Sequence, residues 1–431
     1  MKKIIAYILS LTALASCVKS ADEIFDKPAS ERVGEAIDNC RKILTDQTNG
    51  WLVEFFPEKT QKYGGFNLFF KFAGENAVVS SEIDPAASDT SVYEINSDMS
   101  VCINFVTYNP SLHYFSNPET RVGNTIGLGY EGDYEFIIVE ASPSEIILMG
   151  KKTKNRIRMT PFPENIKWTD YCKTVEKIRS ELRPQYSVVL NGKDTVLFDY
   201  RKGGFKISYK KDGANVTETV SYIFTDKGIK MYEPFEVAGK LFSEFTMQSD
   251  FNFASSGATL VAQTPPRWLP ITAYEGNYTL THNTIMDETG TVYTKNVTLT
   301  RDGKTDQFLL SGLMPSLELD VALFYEMGTG TLLVYQQPIY QFDNSNLLNF
   351  TAWDMETYLY PNALGTVGQY VRWDGVTAPI ELEWVDYGEF PNPIGGFLLW
   401  ITTADGRTNI GQYTSVPIDQ RRWTYIKMKK Q

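Results

Sequence analysis

Short runs of alternating apolar and polar residues, separated by Gly, Asn, Asp and Pro, make up most of the chain. Alternation with a period of two is typical of β-strands that bury one face, and Val, Ile, Thr, Tyr and Phe favour that conformation. The pattern therefore predicts a mainly β protein built from antiparallel modules. The clearest predicted strands lie at 51–56, 66–72, 134–140, 205–210, 319–325, 397–402 and 423–428.

Two segments instead have the spacing of an amphipathic helix. In the first, apolar residues recur between Ser30, a suitable N-cap, and the helix-ending pair Asn49-Gly50. This predicts an N-terminal helix over about 30–46. The second pattern begins at Thr169 or Asp170 and stops before a proline, so we expect it to link two β modules.

The proline-rich stretch at 264–270 marks a further boundary, because prolines stiffen the chain. Together the breaks predict five segments. They are a signal peptide at 1–16, a tether at 17–30, a helix plus β module at 31–165, a linker helix plus β module at 166–263, and a C-terminal β module at 271–431.

The tripeptide Gly-Gly-Phe occurs at 64–66, 203–205 and 395–397. Each copy precedes a predicted strand, so we expect a repeated hairpin in which the glycines take positive φ where the chain reverses. The C-terminal module opens with a Gly-x-aromatic strand at 276–280 and closes with a basic strand at 422–427. Because this arrangement resembles closed meanders, we expect the last module to be lipocalin-like or barrel-like.

The first sixteen residues have the features of a signal peptide, since Lys2 and Lys3 precede an apolar run at 4–14 that is too short to span a bilayer. The sequence Leu-Ala-Ser-Cys at 14–17 resembles a bacterial lipobox, which predicts a lipid on Cys17. The following Val-Lys-Ser-Ala-Asp-Glu is similar to the export tag of Bacteroidetes surface lipoproteins. We therefore expect an outer-membrane, lipid-anchored protein that faces the cell exterior.

Charge and cysteine content argue against several classes of partner. Removal of the signal peptide leaves 39 basic and 52 acidic side chains, a net charge of −13. Without a concentrated Lys/Arg stripe, this balance argues against nucleic acid and against anionic lipid. Cys40, Cys102 and Cys172 are widely spaced and there are two histidines, so neither a disulfide framework nor a cysteine or histidine metal centre is predicted.

Glu131, Asp133 and Glu135 alternate, and on one strand the three carboxylates would share a face. Two of them could act in a glycosidase, several could hold Ca²⁺, and a solvated acidic surface is the simplest interpretation. The acidic residues at 381–386 leave the same alternatives open. No other metal or cofactor is predicted.

His113 lies in a polar and aromatic loop at 108–114 that could line a pocket. Imidazole is a general base near neutral pH, but no nucleophile or orienting acid is identifiable, so a hydrogen-bonded structural histidine is the simpler interpretation. No Gly-x-Ser-x-Gly, His-Glu-x-x-His or phosphate-binding glycine loop occurs in the sequence.

Five of the eight tryptophans lie beyond residue 350, beside acidic residues. Because aromatic faces stack on sugar rings, we expect four of them to bind a ligand, and the alternative is that they fill a β core. The four are Trp353, Trp373, Trp384 and Trp400.

Several segments also have a familiar form. They are the lipobox, Glu31-Arg32-Val33, Asn49-Gly50-Trp51-Leu52, Tyr63-Gly64-Gly65-Phe66-Asn67, Thr107-Tyr108-Asn109 with His113, and Gly132-Asp133-Tyr134-Glu135-Phe136. Over residues 30–165 the chain resembles the Bacteroidetes lipoproteins of the family called domain of unknown function 4302. The resemblance implies a place beside nutrient-import systems that pair a TonB-dependent channel with a surface binding lipoprotein, and it transfers no catalytic residue.

The sequence therefore predicts a surface-anchored lipoprotein that binds a polymer-derived ligand, a carbohydrate, as an accessory to outer-membrane nutrient uptake. Its expected partners are the membrane, through the lipid on Cys17, a glycan, and a TonB-dependent channel with its binding lipoprotein. Two alternatives stay open: a glycan hydrolase with a carboxylate pair such as Asp133 and Glu135, and a structural partner of a transporter.

Overall fold

A computed structural model describes residues 28–431, except 99, 121–126, 191–193, 202, 303–305, 343–345, 358–366, 389 and 407. The predicted signal peptide, Cys17 and most of the predicted tether lie outside the described residues. The described chain is mainly β with antiparallel sheets, which confirms the predicted fold class.

Helix α1 (Ala29–Thr45) precedes a closed barrel of eight strands. The strands are β1 (Trp51–Phe55), β2 (Phe66–Ala73), β3 (Asn76–Ser81), β4 (Asp89–Asp98), β5 (Ser100–Phe105), β6 (Glu135–Ala141), β7 (Ile146–Gly150) and β8 (Arg156–Pro161). Each strand pairs with the next, and β8 returns to β1, where Trp51 lies opposite Pro161. Nε1 of the buried Trp51 donates to the carbonyl oxygen of Leu44 at 3.0 Å, which ties α1 to the barrel. A single helical turn, α2 (Pro110–His113), lies between β5 and β6.

Helix α3 (Trp168–Glu181) leads into a second closed barrel. Its strands are β9 (Gln185–Leu190), β10 (Asp194–Arg201), β11 (Gly204–Lys211), β12 (Ala214–Phe224), β13 (Gly228–Val237), β14 (Lys240–Met247), β15 (Phe253–Ser255) and β16 (Ala258–Gln263). β16 pairs back to β9, with Val261 opposite Ser187. The core is rich in phenylalanine: the ring of Phe198 lies 6.2 Å from that of Phe242 and 5.9 Å from that of Phe245.

The third module contains twelve described strands in one sheet. They are β17 (Gly276–Asn283), β18 (Tyr293–Arg301), β19 (Gln307–Met314), β20 (Leu319–Glu326), β21 (Thr331–Tyr335), β22 (Gln337–Gln341), β23 (Asn346–Asp354), β24 (Gly368–Trp373), β25 (Glu381–Asp386), β26 (Ile394–Thr403), β27 (Asn409–Gln412) and β28 (Arg422–Lys430). The opening strand β17 pairs with the closing strand β28, with Leu280 opposite Met428. β17 to β21, β24, β25 and β28 therefore form a closed ring, which confirms the barrel-like prediction, and the other four strands extend the sheet from β28.

Charged side chains connect helix α3 to the first and third modules. The guanidinium of Arg179 contacts the carboxylate of Glu82, at the end of β3, at 2.5 Å and that of Glu176 at 3.1 Å. Glu176 in turn pairs with Arg301 of the third module at 2.6 Å. Glu82 is only 2% exposed and also accepts from Nδ2 of Asn67 at 2.6 Å. We call Glu82, Arg179, Glu176 and Arg301 the ionic chain.

The predicted cap of the first helix is wrong. Helix α1 begins at Ala29 with Pro28 at the N-cap position, so Ser30 lies inside the helix. Proline is tolerated at a helix start because the first backbone N–H groups have no partner within the helix.

The Gly-Gly-Phe copies do not all form the predicted turn. Gly64 and Gly203 have φ of +73° and +79° where the chain reverses, as expected. Gly395 and Gly396, however, lie inside strand β26. A Cβ on Gly396 would collide with the carbonyl oxygen of Trp423 in β28, so the close approach of two strands, not a turn, requires glycine there.

Candidate functional site

Three neighbouring aromatic rings lie just after β5 and just before β6 in the first barrel. The imidazole of His113 contacts the rings of Tyr108 and Tyr134, with centroid distances of 4.7 and 4.9 Å and interplanar angles of 36° and 26°. The imidazole is half-buried, whereas Tyr108 is 64% and Tyr134 42% exposed, so the two tyrosine rings remain open to solvent. We call these three residues the aromatic stack.

The loop at 106–113 that carries two of the three rings is fixed by its own hydrogen bonds. The side chain of Asn109 accepts the N–H of Leu112 at 3.0 Å and so caps helix α2. The carboxylate of Asp89 accepts the N–H of Ser111 at 3.0 Å and its hydroxyl at 2.6 Å. Leu112 is fully buried in the barrel core. A loop ordered in this way loses little entropy when a ligand binds.

Tyr134 is held in place through its neighbour Asp133. The buried carboxylate of Asp133 accepts the N–H of Lys152 at 2.5 Å, the N–H of Thr153 at 3.1 Å and the Thr153 hydroxyl at 2.5 Å. These bonds attach the segment before β6 to the turn between β7 and β8. Asp133 is therefore a positioning residue for the aromatic stack.

The acidic residues that were expected to share a strand face do not do so. Strand β6 begins only at Glu135, and Glu131 has a φ of +57°, so the intervening segment is not a strand. Glu131 pairs with Lys62 at 3.6 Å and Glu135 with Lys151 at 3.3 Å, while Asp133 is buried. Each carboxylate has separate partners, and no carboxylate pair is presented to a substrate by these three residues.

Burial lowers the pKa of His113 below its ordinary value of 6.5, and a backbone hydrogen bond to Asn109 opposes this only in part. Nδ1 lies 3.1 Å from the amide nitrogen and 3.0 Å from the carbonyl oxygen of Asn109. The lowered pKa favours the uncharged imidazole at neutral pH. The aromatic stack presents flat, neutral rings with polar edges.

Two of the four predicted tryptophans pack against the interior of the third module. Trp384 is 6% exposed, its Nε1 donates to Sδ of Met428 at 3.4 Å, and its ring lies 5.9 Å from that of Phe397. A ring enclosed in this way offers no face to a ligand. Trp373 is half-buried against the same core, and its Nε1 donates to the carbonyl oxygen of Thr377 at 3.1 Å.

The other two tryptophans share the face of the paired strands β23 and β26 that points away from the core of the third module, which we call the outer face. Trp353 lies opposite Gly396, and Trp400 lies opposite Asn349, on the same side of the sheet. Trp353 is 8% exposed, and the guanidinium of Arg422 lies 5.4 Å from the centre of its ring. Ligand binding at this face stays a prediction.

Several other candidate groups have structural partners. Glu381 pairs with Lys429 at 2.8 Å and Glu383 with Lys427 at 3.7 Å, while Asp386 accepts the N–H of Ile394 at 2.8 Å. Within the described ranges, no group of three or more His, Cys, Asp or Glu side chains could hold a metal ion. The three cysteines in these ranges are buried and form no disulfide.

No helix in the described part of the chain is both long and apolar enough to cross a membrane.

A family model described as Domain of unknown function (DUF4302) matches residues 21–249, more than half of the chain. The chain belongs to the DUF4302 family. The match extends the resemblance at 30–165 to the second barrel, and it places the aromatic stack inside the DUF4302 region. A second family model, also described as Domain of unknown function (DUF4987), matches residues 254–400 of this DUF4302 protein.

No curated protein is a significant match. Among solved structures, a protein of unknown function from the DUF3598 family of Nostoc punctiforme is 10% identical, with 60% of this chain and 99% of that chain covered and a TM-score of 0.14. A mutant Transferrin Binding Protein B from Haemophilus parasuis is 8% identical, with 88% and 74% covered and a TM-score of 0.14. The DNA polymerase III beta chain of Streptococcus pneumoniae is 10% identical, with 93% and 97% covered and a TM-score of 0.10. Likenesses this low carry no argument about the DUF4302 protein.

Proposed function

We propose that this protein binds a polymer-derived carbohydrate through the aromatic stack. The observation that carries the proposal is that Tyr108 and Tyr134 stay exposed beside the half-buried His113, on loops that are anchored into the first barrel. Exposed aromatic groups on ordered loops are typical of binding sites, since they offer a large rigid contact area at low entropic cost. Their faces suit the apolar faces of sugar rings.

The surroundings of the stack favour a neutral, hydroxylated ligand. The phenol groups of Tyr108 and Tyr134 can both donate and accept hydrogen bonds. Glu135, which follows Tyr134 in the chain, forms an exposed ion pair with Lys151 that offers a further donor and acceptor. A formal net charge of −11 for the whole chain disfavours polyanions such as nucleic acid.

Binding is a better fit than hydrolysis for this site. A retaining or inverting glycosidase needs two carboxyl groups that face the scissile bond. Both oxygens of Asp133 accept hydrogen bonds inside the barrel, and Glu135 pairs with Lys151. The aromatic stack therefore does not offer the pair of available carboxylates that the hydrolase alternative needs.

We further propose that the protein works at the outer membrane, held by a lipid on Cys17 and facing the cell exterior. A carbohydrate-binding lipoprotein there would be an accessory to nutrient uptake beside a TonB-dependent channel and its binding lipoprotein. The alternative of a purely structural partner predicts co-purification with a channel but no affinity for glycans. Gentle detergent extraction followed by affinity purification of the tagged protein tests the channel association.

Affinity gel electrophoresis tests carbohydrate binding. The protein without its signal peptide is run in gels that contain starch, xylan, pectin or mucin glycans, and we expect at least one polysaccharide to retard it. Tyr108→Ala and Tyr134→Ala should each weaken that binding roughly tenfold, because each removes an exposed stacking ring. Tyr340→Ala, which removes an exposed tyrosine from the third module, is the matched control.

If the polysaccharide still retards both stack variants, the carbohydrate-binding site lies elsewhere in the protein. In that case Trp400→Ala tests the outer face of β23 and β26. Equal migration in all gels, with and without polysaccharide, would contradict carbohydrate binding itself.

A further inference from the structure

A cleft of about 370 Å³ lies where the first barrel contacts the second. This volume falls in the range of roughly 300–1,000 Å³ that is usual for small-molecule sites. One wall is the connection between β1 and β2, and the other is formed by strands of the second barrel. The side chains that matter here are Thr60, Gln61, Lys62, Ser221, Tyr232 and Glu233.

The lining of this cleft combines a fixed aromatic ring with polar groups. The ring of Tyr232 lies 4.7 Å from that of Phe56, and its hydroxyl accepts the N–H of Arg156 at 2.8 Å. The hydroxyl of Ser221 donates to the carbonyl oxygen of Gln61 at 3.1 Å, which joins the two walls. An immobilised ring beside hydroxyl, amide and charged groups is the combination that recognises a sugar.

The cleft adjoins the aromatic stack through a run of tyrosines. The ring of Tyr63, next to the cleft residue Lys62, lies 5.2 Å from that of Tyr130. Lys62 also pairs with Glu131 at 3.6 Å. Tyr130 lies only four residues before Tyr134 of the stack, a Cα separation of at most about 14 Å. The same loop segment therefore borders both places.

A further tyrosine strengthens this connection. Tyr114 directly follows His113 of the stack in the chain, and its ring lies 5.8 Å from that of Tyr130. Tyr63, Tyr114 and Tyr130 are each half-buried. The two loops that carry the aromatic stack therefore also supply Tyr114 and Tyr130, which lie between the stack and the cleft.

We propose that the cleft is a second sugar-binding subsite. The ligand is then a glycan chain of several units that begins at the aromatic stack and ends in the cleft at Lys62 and Tyr232. Between the two places it passes Tyr114, Tyr130 and Tyr63. This inference rests on the proposed function. It adds that the protein recognises several consecutive units of a polysaccharide. Affinity must then depend on chain length.

The test uses the whole chain after removal of its signal peptide. The polysaccharide that retards the protein most strongly in affinity gels is partially hydrolysed and fractionated into disaccharides to octasaccharides, and isothermal titration calorimetry measures the affinity for each. We expect affinity to rise at least about tenfold from disaccharide to octasaccharide. Tyr232→Ala and Lys62→Ala should remove roughly that gain and change disaccharide affinity less than about twofold.

Lys211→Ala, which removes an exposed lysine from β11, is the control for loss of positive charge and should bind like the wild type. The extended site would be overturned if oligosaccharides of all lengths bound with equal affinity, or if affinity still rose with chain length in both cleft variants. Either result would leave the proposed binding at the aromatic stack intact. Loss of disaccharide binding in Tyr108→Ala supports the proposed function independently. Absence of binding to every polysaccharide contradicts the proposed function and the extension together.

Discussion

Gly64 and Gly203 meet backbone to backbone where the first barrel contacts the second. A Cβ on Gly64 would lie 2.9 Å from Cα of Gly203, and a Cβ on Gly203 would collide with the backbone of residues 62–64. Both glycines also have positive φ, which side chains rarely tolerate. The two barrels can approach this closely only because neither Gly64 nor Gly203 has a side chain.

Gly203→Ala should therefore destabilise the protein by roughly 2 kcal/mol or more, since it combines backbone strain with a steric clash. Gly213→Ala is a matched control: Gly213 has a φ of +80°, but nothing lies within 4 Å of its Cβ position. The control should cost only about 1 kcal/mol. Urea unfolding measures both, and equal losses would show that the contact with Gly64 contributes nothing.

Arg179→Ala should destabilise the protein by about 3 kcal/mol, because it leaves the buried carboxylate of Glu82 without its cation. Lys173→Ala on the same helix removes an exposed pair with Asp170 and should cost less than about 1 kcal/mol. The free energy of unfolding in urea distinguishes the two variants. A small loss in Arg179→Ala would mean that the ionic chain does not hold the modules together.

Stability should fall as pH drops below 6.5 because of His282. This imidazole is buried, its Nδ1 lies 2.9 Å from the carbonyl oxygen of Asn283, and burial lowers its pKa to about 4. Below pH 6.5 the unfolded chain binds a proton that the folded chain does not. The contribution is complete above pH 6.5 and is lost progressively toward pH 4, by about 3 kcal/mol in total.

Unfolding midpoints of the wild type and His282→Asn test this between about pH 7.5 and 4.5. Asparagine keeps a donor near the position of Nδ1 but does not titrate. We expect the wild type to lose more stability than the variant over this range. Parallel curves would contradict the assignment to His282.

Trp384→Ala should cost about 3–5 kcal/mol, because it empties a volume inside the core of the third module. Glycan affinity of the molecules that stay folded should not change, since the ring has no face toward solvent. Thermal unfolding and affinity gels at low temperature separate the two effects. Lost affinity with unchanged stability would restore Trp384 as a ligand-binding residue.

Native protein extracted from membranes should begin at Cys17 and carry acyl chains, which mass spectrometry measures directly. Cys17→Ser should remain uncleaved and unacylated. The wild type should enter the detergent phase of Triton X-114, since two or more acyl chains give stable attachment. Cys40→Ala, which removes a thiol inside the fold, should keep the lipid; an unmodified Cys17 in the wild type would refute the anchor.

The alternation of apolar and polar residues was enough to predict the β class and several of the strands, because each strand buries one face. The Gly-x-aromatic opening and the basic closing strand of the C-terminal module indicated separately that β17 and β28 belong together. The ring closures of the first two barrels depend on long-range pairings, such as Trp51 with Pro161, that no local pattern encodes.

The candidate site was only partly visible in the sequence. The loop with His113 stood out by its aromatic and polar content, but Tyr134 did not, because the register of β5 against β6 brings it to His113. Composition likewise could not separate Trp384 in the core from Trp400 on the outer face. Period-two alternation shows which residues share a face of a strand, but it does not show what packs against that face.

The closure of the sheets into rings limits how two copies of the molecule can associate through their strands. In the first two barrels every described strand is paired on both sides, so neither offers a free ladder to a neighbouring chain. In the third module, the described strands with a free side are β22 and β27. Both are short, and β22 contains Pro338, a residue that cannot donate a backbone hydrogen bond. Crowded copies are therefore protected from strand-mediated aggregation by the topology itself.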